Sequence, residues 1–316
     1  MPPDHGKIGL IDPLTLLGHQ ILELVPRFKN IAGRIALFNT AEEDDHQVAD
    51  VGGQPMLVPP LESGDELDAC SAFLVASDTS SPRLQTLIDH LERHPNLSLV
   101  DCGHLEELRQ MTLPAVPAGT PGPEAHRIRV PHPAAVAAIR TLRPLMDLGP
   151  IALDVMAMEP VSAFGRDAIG RLARQATARL QGQQAEHDIG GETLAFSSVA
   201  APAGDLQEDL TILLPDLAVA AGRLLTGWFH GHVTRMAVMF DVPVEPDDIT
   251  SRWKDATATR LVGDPLRLDA VVNQEEILLA VPALAANHRV LAVTAMSDGL
   301  LIGGAVTALE LLSSLM

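Results

Sequence analysis

Few side chains in this sequence stand in a pattern that could do chemistry, and the clearest is "HGH", His230 and His232. Two histidines so close look like half of a metal site, but no third ligand lies near them in sequence, and a bare pair is a weak claim on a transition metal. No metal site is expected. Cys70 and Cys102 sit in apolar, strand-like contexts and make no ligand pattern, so both read as reduced core thiols. Asp12 followed by Pro13 reads as a helix start, an N-cap acceptor before the residue best suited to the first helical position. The acidic run "AEEDDHQVAD" (41–50) reads as a solvated loop.

The chain that carries these groups has 316 residues, 47% of them hydrophobic, which predicts a globular protein of two domains. A net charge of -19 argues against a nucleic-acid partner, since phosphates call for a basic surface. Tyrosine is absent and aromatics are scarce, so a platform for stacking bases is not expected either. No apolar run reaches membrane-spanning length, and "MPPDHGK" lacks the features of a secretory signal. A cytoplasmic protein with no membrane partner is the expectation.

The first third alternates strands and helices: "KIGLI" (7–11), a helix ending near Pro26, "GRIALF" (33–38), "CSAFLVAS" (70–77), the helix "SPRLQTLIDHLERH" and "LSLVDCG" (97–103). That alternation predicts an α/β, Rossmann-like doubly wound parallel sheet. "LPAVPAGTPGPEAH" (113–126) predicts a loop near a domain boundary. Beyond it come the helix "PAAVAAIRTLRPLMD", the strand "IALDVMAM", the helix "GRDAIGRLARQATARLQ", and the strands "RMAVMFDVPV", "EILLAVPAL" and "RVLAVTAMS". These predict an α+β domain with a larger mixed sheet. The predicted division is 1–131 for the first domain, completed by a C-terminal helix over 297–316, and 132–296 for the second.

Three stretches, in order, resemble the aspartate-semialdehyde dehydrogenase family. "VSAFGRDAIGRLARQATARL" (161–180) is similar to its V-S-G-x-G segment, with Ser162 and Gly165 at a turn feeding a helix. "WFHGHVTRMAVMFDVPV" (228–244) resembles its R-x-H-S segment and strand. "VTAMSDGLLIGGAVTALELL" (293–312) resembles its final helix. The resemblance implies a nicotinamide-dependent reaction at an acyl phosphate or semialdehyde, through a cysteine thioester, in a homodimer or higher oligomer whose second domain supplies the dimer face.

Matched position by position, most of that chemistry is missing. Pro133 falls where the family has its nucleophile, and proline offers none; His132 replaces a neighbouring asparagine. The family's glutamine corresponds to Glu159 or Pro160, and Glu159 is the ungapped match. Leu225 falls at the arginine that clamps the substrate carboxylate, a role leucine cannot fill. Glu107 aligns with an arginine implicated in phosphate binding. His232 alone survives, at the acid/base histidine, and is the one retained catalytic position. Leu225 and Met158 would make the vacated cleft more apolar.

The cofactor loop is altered too. "IDPLTLLG" places Asp12 and Thr15 at the first two loop glycines and keeps only Gly18. A carboxylate about 4 Å from a phosphate costs about 4 kcal/mol at an effective dielectric near 20, roughly three orders of magnitude in affinity. Glu42 falls at the arginine that reads NADP's 2′-phosphate, although an acidic residue there suits the ribose of NAD. No cofactor-binding residue and no cofactor is expected. The resemblance is therefore to a non-catalytic relative, most like the Usg-type branch: a dimeric binding, regulatory or scaffold protein, possible partners being itself or a true dehydrogenase subunit. The alternative is an active NAD- or NADP-dependent oxidoreductase of altered specificity, with His232 as its acid.

Overall fold

The computed structural model describes residues 6–41, 47–103, 105–117, 126–263 and 265–316. Glu42 lies outside the described residues, as do most of the expected loop over 113–126 and the acidic centre of 41–50. The chain divides into two compact units, Met1–Val130 with Gly304–Met316, and Pro131–Gly303.

The first unit is built on a six-stranded sheet. In chain order its elements are β1 (Lys7–Ile11), α1 (Leu16–Leu24), β2 (Ile35–Phe38), the hairpin β3 (Gln47–Val51) and β4 (Gln54–Val58), then β5 (Cys70–Val75) and α2 (Pro82–Arg93). β6 (Ser98–Asp101), α3 (Glu106–Arg109), β7 (Leu113–Pro114) and β8 (Arg127–Arg129) complete it. The spatial order is β2-β1-β5-β6-β8-β7 with every pairing parallel. The chain leaves β1 toward β2 on one side and returns to β5 on the other, so the β1/β5 edge is the switch point where an open α/β sheet offers its crevice.

α2 shows why such elements form. Ser81 accepts from the Leu84 amide as N-cap, and Pro82 opens the first turn. Leu84, Leu87, Ile88 and Leu91 recur at helical spacing and pack with Phe73, Val75 and Leu99 in one core cluster. The hairpin is a departure from expectation. Residues 47–50 belong to β3 rather than to a solvated loop, and Gly52 and Gly53 form its turn at φ 61° and 86°. Leu113 and Pro114 likewise pair with β8 as a short strand instead of opening a loop.

The second unit holds α4 (Pro133–Leu142), β9 (Pro150–Glu159), α5 (Arg166–Leu180), β10 (Ser198–Ala201), α6 (Gly204–Leu213), β11 (Ala218–Thr226) and β12 (His232–Phe240). α7 (Pro246–Asp255), β13 (Thr259–Leu261), β14 (Ile277–Leu279), β15 (Ala283–Leu284) and β16 (Val290–Ser297) follow. Its mixed sheet runs β10-β11-β9-β12-β16-β14-β13, with β15 also paired to β16. Leu153, Val155 and Ala157 of β9, Met236 and Val238 of β12, and Leu291, Val293 and Ala295 of β16 alternate onto one buried face. α4 and α6 pack on the strands, and the buried Trp253 of α7 ties to α4 by donating from Nε1 to the Thr141 carbonyl at 2.8 Å.

The chain ends not in one uniform helix but in a π-helical turn, Leu301–Ala305, followed by α8 (Val306–Leu315). Asp298 caps this start by accepting from the Leu300 and Leu301 amides. Among the described residues no helix is long and apolar enough to cross a membrane.

At the β1–α1 junction Gly18 lies against backbone: a Cβ there would sit 2.5 Å from the Asp12 carbonyl oxygen and 2.7 Å from Pro13 Cα. Backbone cannot swing aside as a side chain can. Gly18→Ala is therefore expected to destabilise the protein by about 1–3 kcal/mol, read as a lower urea midpoint at unchanged slope.

Candidate functional site

Four polar side chains converge on the buried face of the second unit's sheet. β9 lies between β11, parallel to it, and β12, antiparallel to it, with Glu159 opposite Leu225 and Met158 opposite Val233. This register brings Glu159, Arg223 and His232 to one end of three adjacent strands. His132, at the start of α4, completes the group.

Glu159 is 2% exposed and bidentate to Arg223, with Nε to Oε1 at 2.5 Å and Nη2 to Oε2 at 2.8 Å. His132 Nε2 lies 3.1 Å from Oε1. Burial alone would raise the Glu159 pKa, but the bonds from Arg223 and His132 prevail and hold it well below the usual carboxylate range. The same pairing raises the Arg223 pKa further. His132 is committed at its other nitrogen as well. Nδ1 accepts from the Ala134 amide at 3.2 Å, so the imidazole serves as the N-cap of α4 with its proton on Nε2. Its backbone N–H donates to Asp209 of α6 at 2.8 Å.

His232 stands edge-on to His132, with ring centroids 6.5 Å apart. It is buried, and its Nδ1 has no hydrogen-bond partner. Burial pushes its pKa down to about 4. Gly299 packs directly on the imidazole, where a Cβ would lie 2.1 Å from Nδ1. The chemistry open to this group is narrow. Glu159 is too weak a base to take a proton near neutral pH, His132 has both nitrogens engaged, and His232 is neutral. Pro133 follows His132 as the first residue of α4, where a missing amide hydrogen costs nothing.

The remaining positions singled out in the sequence lie as follows. Leu225 joins an apolar cluster with Val161, Leu172 and Leu194. Met158 is not beside Glu159: neighbours on a strand point to opposite faces, and Met158 belongs to the outer one. Ser162 is buried, and Gly165 caps α5 at φ 85°. Between Glu159 and Pro160, Glu159 carries the buried side chain in the cluster. His230 joins no group of three metal-ligand side chains among the described residues. Arg223 is the residue that sequence reasoning missed. It lies two positions before Leu225 on the same strand, so a period of two places it on the same face.

In the first unit Asp12 is not the N-cap of α1. Thr15 holds that role, its hydroxyl accepting from the Gly18 amide at 3.0 Å. Asp12 has φ 57°, and its carboxylate turns instead to the ends of the flanking strands. It accepts from the Thr40 amide and hydroxyl, both at 2.6 Å, and from the Ser77 hydroxyl. These bonds span β2, β1 and β5, across the switch point. Glu107, in the short α3, is exposed and accepts from the Ser80 hydroxyl. Burial raises the Cys70 pKa to about 11 and that of Cys102 well above the ordinary value, so neither thiol is poised as a nucleophile.

The chain has the fold of aspartate-semialdehyde dehydrogenases. It superposes on the crystal structure of aspartate-semialdehyde dehydrogenase II complexed with ASA from Vibrio cholerae with a TM-score of 0.84 at 16% identity, over 99% of this chain and 98% of that one. A probable aspartate-semialdehyde dehydrogenase from Pseudomonas aeruginosa gives 0.83 at 18% identity, over 97% of each chain. The aspartate-semialdehyde dehydrogenase with NADP from Candida albicans gives 0.68 at 12% identity, over 98% of each. No family model and no curated protein matches the sequence.

His232 supplies a pH signature. The unfolded imidazole takes up a proton near pH 6.5 and the folded one only near pH 4, so stability falls as pH drops between these values. The loss from this residue is about 2 kcal/mol from pH 7 to pH 5. Glu159 acts in a lower window: its stabilisation is present above the ordinary carboxylate pKa and is lost as pH falls below it. Urea unfolding at pH 7 and pH 5 should therefore show a gap that narrows by about 2 kcal/mol in His232→Phe. Glu159→Leu, by contrast, should destabilise at both values by about 2–3 kcal/mol, since it strands the largely buried Arg223 cation.

Proposed function

We propose that this chain is a non-catalytic relative of the aspartate-semialdehyde dehydrogenases, most like their Usg-type branch, acting as a dimeric binding, regulatory or scaffold protein of the cytoplasm. The observation that carries the proposal is the Glu159–Arg223 pair. An arginine near the position where the resemblance calls for a substrate clamp is held through Nε and Nη2 by the protein's own carboxylate. Pro133 in place of a nucleophile and the Asp12 bonds to Thr40 and Ser77 support the same reading.

The dimer is supported by the outer face of the mixed sheet. Met156, Met158, Leu224, Ala237 and Met239 are half-buried or exposed there, with Asp154 and Arg235 as charges of opposite sign. A face carrying both signs around apolar residues suits isologous pairing with a second copy or with a true dehydrogenase subunit.

A second reading rests on the unpartnered Nδ1 of His232. A buried nitrogen without a partner can serve a ligand, which suits an active NAD- or NADP-dependent oxidoreductase of altered specificity on a semialdehyde or acyl phosphate. Calorimetric titration separates the two: the non-catalytic reading expects no binding of NAD, NADH, NADP or NADPH tighter than about 1 mM. Pro133→Cys, alone or with Leu225→Arg, is expected to stay inactive in a phosphate-dependent semialdehyde oxidation assay. Light scattering on the eluting protein should give the dimer mass at micromolar concentration, and a monomer would remove the pairing claim.

A further inference from the structure

A separate set of ligand-type side chains lies in the first unit. Asp68, His90 and His94 each place one donor atom within 4.8 Å of the others, the one such group of three among the described residues. Local structure makes the group. His90 lies in the last turn of α2 and His94 caps that helix, four positions apart and therefore on one face. Asp68 ends the 3-10 turn Gly64–Leu67 that precedes β5.

His90 is the anomalous member. It is 1% exposed, with Phe73 edge-on to its ring at 6.0 Å and the His94 ring at 4.6 Å. Its Nδ1 has no hydrogen-bond partner, and the Asp68 carboxylate it faces is 3.9 Å away, beyond hydrogen-bond reach. A buried nitrogen left without a partner is costly, and native structures rarely tolerate one without cause. Here the vacant nitrogen, a second imidazole and a carboxylate converge on the same space. Gly64 borders it: a Cβ there would lie 3.8 Å from the His90 Nδ1 and 2.8 Å from the Arg93 guanidinium. Asp65 adds a negative charge that opposes Arg93 in the field at His90.

We propose that Asp68, His90 and His94 bind a divalent transition-metal cation of the zinc class, with a fourth position open to water or an exogenous ligand. Two imidazoles and one carboxylate suit zinc and its neighbours rather than magnesium or calcium, which take oxygen ligands. Bonds of about 2.0–2.1 Å at tetrahedral angles set the ligand atoms about 3.4 Å apart. Closing to that spacing would fall to the exposed Asp68 and His94 side chains, since His90 is buried. The bound ion would fasten the segment entering β5 to the end of α2. The pair H-x-x-x-H in "HLERH" is its trace in the sequence.

Zinc chloride titrated alone into the full chain is expected to bind one equivalent at this site with a Kd below about 100 µM and to raise the melting temperature, with no response to magnesium chloride. His94→Ala and Asp68→Asn change exposed side chains, so both variants should keep the wild-type circular dichroism spectrum. Each should weaken zinc binding at least about tenfold, while His232→Phe leaves it unchanged. Zinc binding weaker than that limit overturns the proposal, as does binding that survives both substitutions or that His232→Phe abolishes.

Discussion

An ionised carboxylate with 2% exposure is the constraint around which the second unit is arranged. Taking such a charge out of water costs several kcal/mol unless its oxygens are met by donors in good geometry. Glu159 is met by three, two from Arg223 and one from His132. The two residues that supply them depend on different elements. Arg223 requires β11 beside β9, and His132 requires α4 to begin where it does, which in turn uses the imidazole's second nitrogen as an N-cap. The buried charge therefore contributes specificity more than net stability, because an arrangement that displaced any donor would leave it exposed to the full desolvation cost.

The same logic recurs in the first unit at the crevice of the parallel sheet. The Asp12 carboxylate takes up the Thr40 and Ser77 donors at the ends of the strands flanking β1. A site for an anion needs free donors, and here the protein supplies its own anion. In both units, then, polar donors at the ends of adjacent strands are satisfied by a carboxylate of the chain itself. The fold that results is shared with aspartate-semialdehyde dehydrogenases at 16% and 18% sequence identity.

Legibility differed by the range of the forces involved. The alternation of β1, α1, β2, β5, α2 and β6 was readable because each has a local period and local caps. The β3–β4 hairpin was hidden by the acidic run beside it, although Gly52 and Gly53 signal its turn. Asp12 shows the limit best: Asp-Pro is a valid helix-start signal, yet Thr15 caps the helix, because Asp12 meets partners 28 and 65 positions away. Arg223 failed for a related reason. The resemblance points to Leu225 alone, whereas the strand's two-residue period puts Arg223 on the same face. Met158, expected in the cleft, lies on the outer face because successive residues of a strand point to opposite sides.

Asp12 also carries a record in its backbone. At φ 57° it occupies the left-handed region that glycine enters freely and that aspartate tolerates better than most side chains. The main chain at this corner keeps a shape that needs no side chain to maintain it. Replacing the whole side chain by hydrogen, as in Asp12→Gly, would suit this backbone and free the Thr40 and Ser77 donors together. One side chain therefore ties together the ends of the two strands that flank β1, at a corner whose backbone a glycine would also adopt.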